Sequence, residues 1–368
     1  MTAETVRHET GIQWTHQPGY IGAVWNPTTG CARVSPGCDH CYAFQLHDQR
    51  YLANRSSARA AGYTSPAVAR EMGVKLPVKA PQYDLPFSTV QLLDERRLEE
   101  PLRARKPRCY FVDSMADLLH EDVPDEYLDR VFGVMAAAYW HRFLLLTKRP
   151  ERMREYLTRP PRDDNERGML FGGQPAAHFR IDKRATEYER FRALNPREDS
   201  EQFDPCAWPL PNVWLGVSVE DQERADERIP LLLDTPAMVR FLSCEPLIGP
   251  LSLNAMAKRA NNACLNALAG IMWGPQQPSG LQFPEREGLP RIDWVICGGE
   301  SGRHARPFDL AWARSLRDQC RAAGVPFFLK QLGTHPYEQM ALLKLRHSHG
   351  GDPEEWPEDL RIREWPEV

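Results

Sequence analysis

Residues 108–147 read RCYFVDSMADLLHEDVPDEYLDRVFGVMAAAYWHRFLLLT. Arg108–Asp113 is a short apolar strand, Tyr127–Tyr139 an amphipathic helix and Arg142–Thr147 a second strand that is apolar throughout. A strand with no polar alternation is covered on both faces, and such strands alternating with helices make a parallel sheet. The same unit recurs along the chain. Upstream, residues 21–27 (IGAVWNP) form a first strand that stops at Pro27. Downstream, a helix begins over Glu151–Leu157, then come strand Asn212–Val219, helix Asp221–Leu233, strand Met238–Cys244, strand Ile292–Cys297, helix Leu310–Ala323 and strand Pro326–Lys330. The expected fold is therefore α/β: a complete or partial TIM-like (β/α) barrel of parallel strands, forming one domain over residues 1–368. An open sheet remains the alternative.

Two stretches break the rhythm. Residues 160–211 and 254–291 are longer than one crossover helix needs, and both read as insertions at the barrel mouth. Residues 335–368 read as a C-terminal covering segment anchored by Trp356 and Trp365. Cys41–Ala60 reads as a helix. So does Thr89–Arg105, with Leu92, Leu93 and Leu98 on one side.

The chain has 368 residues, enough for one large core, with 42% hydrophobic and 26% charged residues. A net charge of −4 supplies no global positive field toward nucleic acid or an anionic membrane. The nine cysteines follow no regular pairing. With no apolar leader, they point to a reducing cytoplasm. No run of about 18 apolar residues suggests a membrane span.

Residues 25–43, WNPTTGCARVSPGCDHCYA, carry Cys31, Cys38 and Cys41 in a C-x6-C-x2-C array. Three thiolates from one Gly- and Pro-rich loop suit a metal ion or an iron–sulfur cluster. An odd count argues against disulfides. Zinc is an open alternative, with His40 or His47 as the fourth ligand.

The segment GC-x6-C-x2-CYA is similar to the cluster loop of radical S-adenosylmethionine enzymes, closest to relatives of spore photoproduct lyase. It departs from the usual C-x3-C-x2-C by three extra residues. The whole chain also resembles an uncharacterised phage-associated family of this type. The resemblance is carried by WNPTTGC, CYFVDSMADLLH, LLLTKRPER, NVWLGVSVED, FLSCEPLIGP, WVICGGESG, ARPF, FFLKQLG and GGDPEEWPEDLRIRE. It implies a [4Fe–4S] cluster on Cys31, Cys38 and Cys41, S-adenosylmethionine at the open iron, and an external electron donor. The CGGES run at 297–301 is similar to the superfamily's GGE motif, which contacts the methionyl amine. There the motif follows the second strand and here it follows a late one, so Asp113 and Ser114 are the alternative for that role.

In a barrel the chemistry sits at the carboxyl ends of the strands. The polar residues expected there are Asp113, Ser114, Asp117, Thr147, Lys148, Arg149, Ser218, Glu220, Ser243, Glu245, Gly298, Gly299, Glu300, Ser301, Lys330 and Gln331. Glu220 or Glu245 would hold ribose hydroxyls. Lys148, Arg149 and Arg303 would pair with a carboxylate or phosphate. Cys244, His304 and Lys330 are the expected catalytic groups, with Cys244 and Cys297 facing the mouth. Cys109, Cys206, Cys264 and Cys320 read as structural. The leading expectation is a radical enzyme acting on a small molecule or nucleotide, with nucleic acid as an option. The rival is a nonenzymatic zinc- or iron–sulfur-binding module with a nucleic-acid-binding or regulatory role.

Overall fold

The structure, a computed structural model, describes residues 9–160, 176–188, 207–257, 264–273 and 284–367. Cys206 and much of both expected insertions lie outside these residues. The main sheet has seven strands: β1 (Ile21–Trp25), β2 (Arg108–Val112), β3 (Arg142–Thr147), β4 (Val213–Ser218), β5 (Arg240–Cys244), β6 (Trp294–Gly298) and β7 (Phe327–Gln331). They pair in chain order and all in parallel. Because each crossover steps one strand further in the same direction, the sheet curls into a half-barrel, and among the described residues β1 and β7 do not pair to close it. The expectation of a partial TIM-like barrel holds at that level.

Period two divides the strand residues between two cores. Tyr110, Val112, Phe143, Leu145, Leu215, Leu242, Val295 and Leu329 pack outward against the helices. Cys109, Leu144, Trp214, Phe241, Trp294, Ile296 and Phe328 fill the concave side around Trp14, which a 3-10 turn at Gln13–Thr15 delivers. The Trp14 ring stands 4.8 Å from Phe111 and 6.3 Å from Trp294. At Gly216 an added Cβ would meet the Phe241 ring at 2.5 Å, so the missing side chain makes room for an aromatic one.

Helix α1 (Tyr42–Ala60) follows the cysteine loop and packs on the short Pro66–Glu71 helix, while the outer layer holds α2 (Asp125–Ala137), α3 (Pro150–Thr158), α4 (Ala176–Glu187), α5 (Gln222–Leu233) and α6 (Leu310–Ala323). Asp221 and Asp309 cap α5 and α6 through their side chains, and Gly324 at φ 65° ends α6 in the left-handed conformation that favours glycine. Helix α4, the described part of the first long connection, packs on α2 with Arg180 Nε 3.0 Å from Asp129. Between β5 and β6 the chain forms a four-stranded antiparallel sheet (Met256–Ala257, Cys264–Asn266, Ile271–Trp273, Pro284–Arg286). The link leading to it is tied to α5 by Gln222 and to α6 by Gln319. The tail runs along the free edge of β7, where the Leu329 N–H donates to Ile362 O and the Glu364 N–H to Phe327 O. Trp356 is buried. No described helix is long and apolar enough to cross a membrane.

The helix expected over Thr89–Arg105 is not continuous. Gln91–Leu92 instead pairs antiparallel with Thr28–Thr29, and two single turns follow at Glu95–Leu98 and Glu100–Arg103. Pro101 has no N–H to continue a helix, and Asp94 caps a fresh start by accepting the Arg97 N–H. The leucine face is lost with it, since Leu98 is buried and Leu92 exposed.

Candidate active site

At the carboxyl edge of the sheet the inward positions change from apolar to polar. One layer below the rim stand Phe111 and Leu146; at the rim stand Ser218, Ser243 and Lys330. With the loop over residues 31–44 as its other wall, this rim encloses a cavity of about 340 Å³. Ile12, Trp14, Phe111 and Leu146 line it with apolar groups from the sheet side, as Phe44 and Phe87 do from the other wall. Of the residues expected at the mouth, Cys31, Cys38, Cys41, Asp113, Ser114, Asp117, Thr147, Lys148, Arg149, Ser218, Ser243, Glu245, Gly299, Glu300, Ser301, Lys330 and Gln331 all line it. Parallel topology explains the convergence, because every strand ends on the same rim.

The cysteine loop leaves β1 through Thr28, Thr29 and Gly30. Gly30 has φ 91°, and an added Cβ would meet Thr89 O at 2.2 Å, so only glycine fits before Cys31. The Cys31 N–H donates to Phe87 O, Cys38 N–H to Ser35 O and Cys41 N–H to Cys38 O. All three cysteines are free and half-buried. Burial, then the charge of Asp117, pushes the Cys31 thiol up to about 11, against the pull of Arg149. Among the described residues no group of three or more His, Cys, Asp or Glu side chains is gathered closely enough to hold a metal ion. The thiols share a wall of the cavity without meeting at one point.

Three pairs of side chains grip this loop. Asp117 accepts from Thr147 Oγ1 (2.7 Å), the Lys148 N–H (3.1 Å) and Arg149 Nη1 (3.0 Å). Arg149 then reaches Cys31 Sγ at 3.7 Å and Ala32 O at 3.2 Å. Glu220, 1% exposed, accepts the Gly37 N–H at 3.3 Å and Arg228 Nη1 at 3.0 Å. Burial works to raise its carboxyl, but the charges of Lys148 and Arg228 prevail and hold it below the usual range. Glu300 accepts from Arg306 N–H, Nε and Nη2 (2.8, 2.9 and 2.7 Å) and lies 3.2 Å from His40 Nδ1. Here too burial pushes up and the Arg306 hydrogen bonds win, leaving the carboxyl below its ordinary value. Arg306 Nη1 donates onward to Pro36 O at 2.9 Å.

Elsewhere on the rim, Glu245 Oε1 and Lys330 Nζ are 3.1 Å apart. Asp113, at φ 54°, is buried beneath Thr28, which donates to it through its N–H (3.1 Å) and Oγ1 (2.7 Å). Burial pushes this carboxyl up to about 8 against those two bonds. Tyr42 Oη donates to Ser114 O at 2.5 Å and joins α1 to the β2 end.

Several expected residues stand elsewhere. Cys244 and Cys297, both 0% exposed, face the outer core beside Cys320 and not the mouth, because period two turns Ser243 inward and Cys244 outward. His304 and Arg303 are exposed and outside the cavity wall; the His304 ring is 6.1 Å from that of His40. Glu220 lies behind the loop and does not line the cavity. Gly298 and Gly299 serve packing: an added Cβ would meet Glu245 Oε1 at 2.8 Å and Leu332 O at 2.3 Å respectively. Of the two histidines considered as zinc ligands, His40 lines the cavity, while His47 is bound to Leu85 O and does not. Arg228 and Arg306 were not anticipated. Arg306 sits in ARPF, a segment that carries the family resemblance and lies six residues past Glu300.

The profile of a family described as "Protein of unknown function (DUF5131)" matches residues 9–356. No curated protein and no solved structure matches the chain.

Proposed function

The chain belongs to this DUF5131 family, and from that premise we propose that it is a radical S-adenosylmethionine enzyme of the cytoplasm. Cys31, Cys38 and Cys41 would hold a [4Fe–4S] cluster, with S-adenosylmethionine in the cavity beside them. When bound, such a cluster would supply the one electron that breaks the sulfonium C5′–S bond of S-adenosylmethionine, releasing methionine and a 5′-deoxyadenosyl radical able to take a hydrogen atom from a substrate. The observation that carries the reading is the shared cavity: three free thiols from one loop face the carboxyl ends of parallel strands. The donor set fits, because three thiolates leave one iron of such a cluster open for a ligand.

The remaining residues suit a zwitterionic nucleoside ligand. Lys330 and Lys148 offer cations for a carboxylate, and Glu245 offers an acceptor for an ammonium or ribose hydroxyl. Asp113 and Ser114 take the slot after the second strand, as the alternative to GGE; Asp113 does so with both oxygens already bonded to Thr28. The apolar floor of Trp14, Phe111 and Leu146 excludes water from that end of the cavity. A nucleotide or nucleic acid is the proposed substrate, in keeping with the phage association that the resemblance implies, and an external donor supplies the electron.

The test is mass-spectrometric detection of 5′-deoxyadenosine after anaerobic reconstitution and addition of S-adenosylmethionine and dithionite. Wild type should produce it and Cys38→Ala should not. Absence of the product from a protein with full iron content would refute the activity.

A further inference from the structure

Glu220 and Glu300 read from sequence as ligand-binding carboxylates, yet their hydrogen bonds are spent on the protein itself. A carboxylate has about four acceptor directions. Glu300 Oε2 faces three donors, the Arg306 N–H, Arg306 Nε and His40 Nδ1, and Oε1 takes Arg306 Nη2. Glu220 divides its two oxygens between the Gly37 N–H and Arg228. What these groups share is the backbone between the first and third cysteines. Arg306 passes on to Pro36 O and stands 3.8 Å from Asp39 Oδ2, and His40 is the residue just before Cys41. Gly37, just before Cys38, sits so close that an added Cβ would lie 3.0 Å from Glu220 Oε1.

We infer that Glu300 with Arg306, and Glu220 with Arg228, are positioning residues that hold the backbone of the cysteine loop against the rim before any cofactor arrives. The inference rests on the cluster reading for its purpose, but its geometry stands without it. Fixing the loop through Pro36 O and the Gly37 N–H pins the segment where Gly and Pro leave the chain few contacts of its own. The two grips come from the ends of β4 and β6, so the rigid sheet sets the loop's place. Such supports act through the ligands they orient, as outer-shell groups do at metal sites.

The experiment compares wild type with Arg306→Ala, Arg306→Lys and Glu300→Gln. Arg314→Ala serves as a control that breaks the Arg314–Asp359 ion pair on α6, whose residues do not line the cavity. Backbone amide exchange is followed first in the metal-free chain. Arg306→Ala should speed exchange across residues 31–41 about tenfold, the scale of one lost charge-assisted bond, with β6 unchanged. The Lys variant, which keeps the charge without the fork, should fall between. The reconstituted proteins are then challenged with an iron chelator, and Arg306→Ala should lose iron several-fold faster than Arg314→Ala. Unchanged exchange over 31–41 in Arg306→Ala would overturn the inference, and so would iron loss no faster than in the control. If wild type takes up no iron, the cluster reading fails while the exchange arm still decides the clamp.

Discussion

Arg149 Nη1 lies between two partners, 3.7 Å from Cys31 Sγ and 3.0 Å from Asp117 Oδ2. One cysteine of the loop thus carries a guanidinium that its two companions lack among the described contacts. An N–H aimed at a ligating sulfur stabilises the more negative, reduced state of an iron–sulfur cluster. Arg149→Gln should therefore lower the cluster's midpoint potential while leaving iron content near wild type. A redox titration followed by electron paramagnetic resonance checks this; an unchanged potential would show that the contact carries no electronic weight.

Asp113 links pH to stability. Burial raises its carboxyl from the ordinary 3.8 to about 8. Between those values the unfolded chain has released the proton and the folded one has kept it. Its stabilising contribution is complete below about 3.8, declines as pH rises through the window and is gone above about 8. The upper bound for one proton is about 1.4 kcal/mol per pH unit. Asp113→Asn, which tolerates the left-handed backbone, should flatten the decline between pH 5 and 8. Urea titrations of both proteins at these two pH values measure it.

Gly30→Ala should be costly for two reasons, φ 91° and the 2.2 Å approach to Thr89 O. The backbone strain alone is about 1–3 kcal/mol. Gly62→Ala is the control: φ is 85° there but nothing lies within 4 Å. Both variants should lose stability in denaturant titrations, and Gly30→Ala alone should also lose the capacity to bind iron.

Cys244→Ala should leave iron content and turnover intact and cost about 1–2 kcal/mol of stability, since it removes a thiol from the outer core. Loss of turnover in a folded Cys244→Ala protein would restore the catalytic role that its place at a strand end suggests.

These contrasts mark where the sequence was legible. The strands could be read because parallel strands covered on both faces are apolar without alternation, and their order followed from the repeating unit. The rim residues could be read for the same reason, since every strand ends on one edge. The direction of a side chain at a strand end depends on register, which is why Cys244, expected at the mouth together with Ser243, turns into the outer core while Ser243 stays on the rim. The work of Glu300 was hidden because its partner Arg306 reaches Pro36 across 270 positions. The helix over Thr89–Arg105 fails first at Gln91–Leu92, which pairs with Thr28–Thr29 far back in the chain, and again at Pro101, a local signal that the leucine spacing outweighed.

The central claim is that Cys31, Cys38 and Cys41 together hold a [4Fe–4S] cluster. Anaerobic purification and reconstitution, followed by iron, sulfide and zinc analysis of wild type and Cys38→Ala, tests it most directly. The account predicts about four irons and four sulfides per wild-type chain, with an absorbance band that bleaches on reduction, and loss of both in the variant. One zinc and no iron in wild type, or full iron in Cys38→Ala, would contradict it.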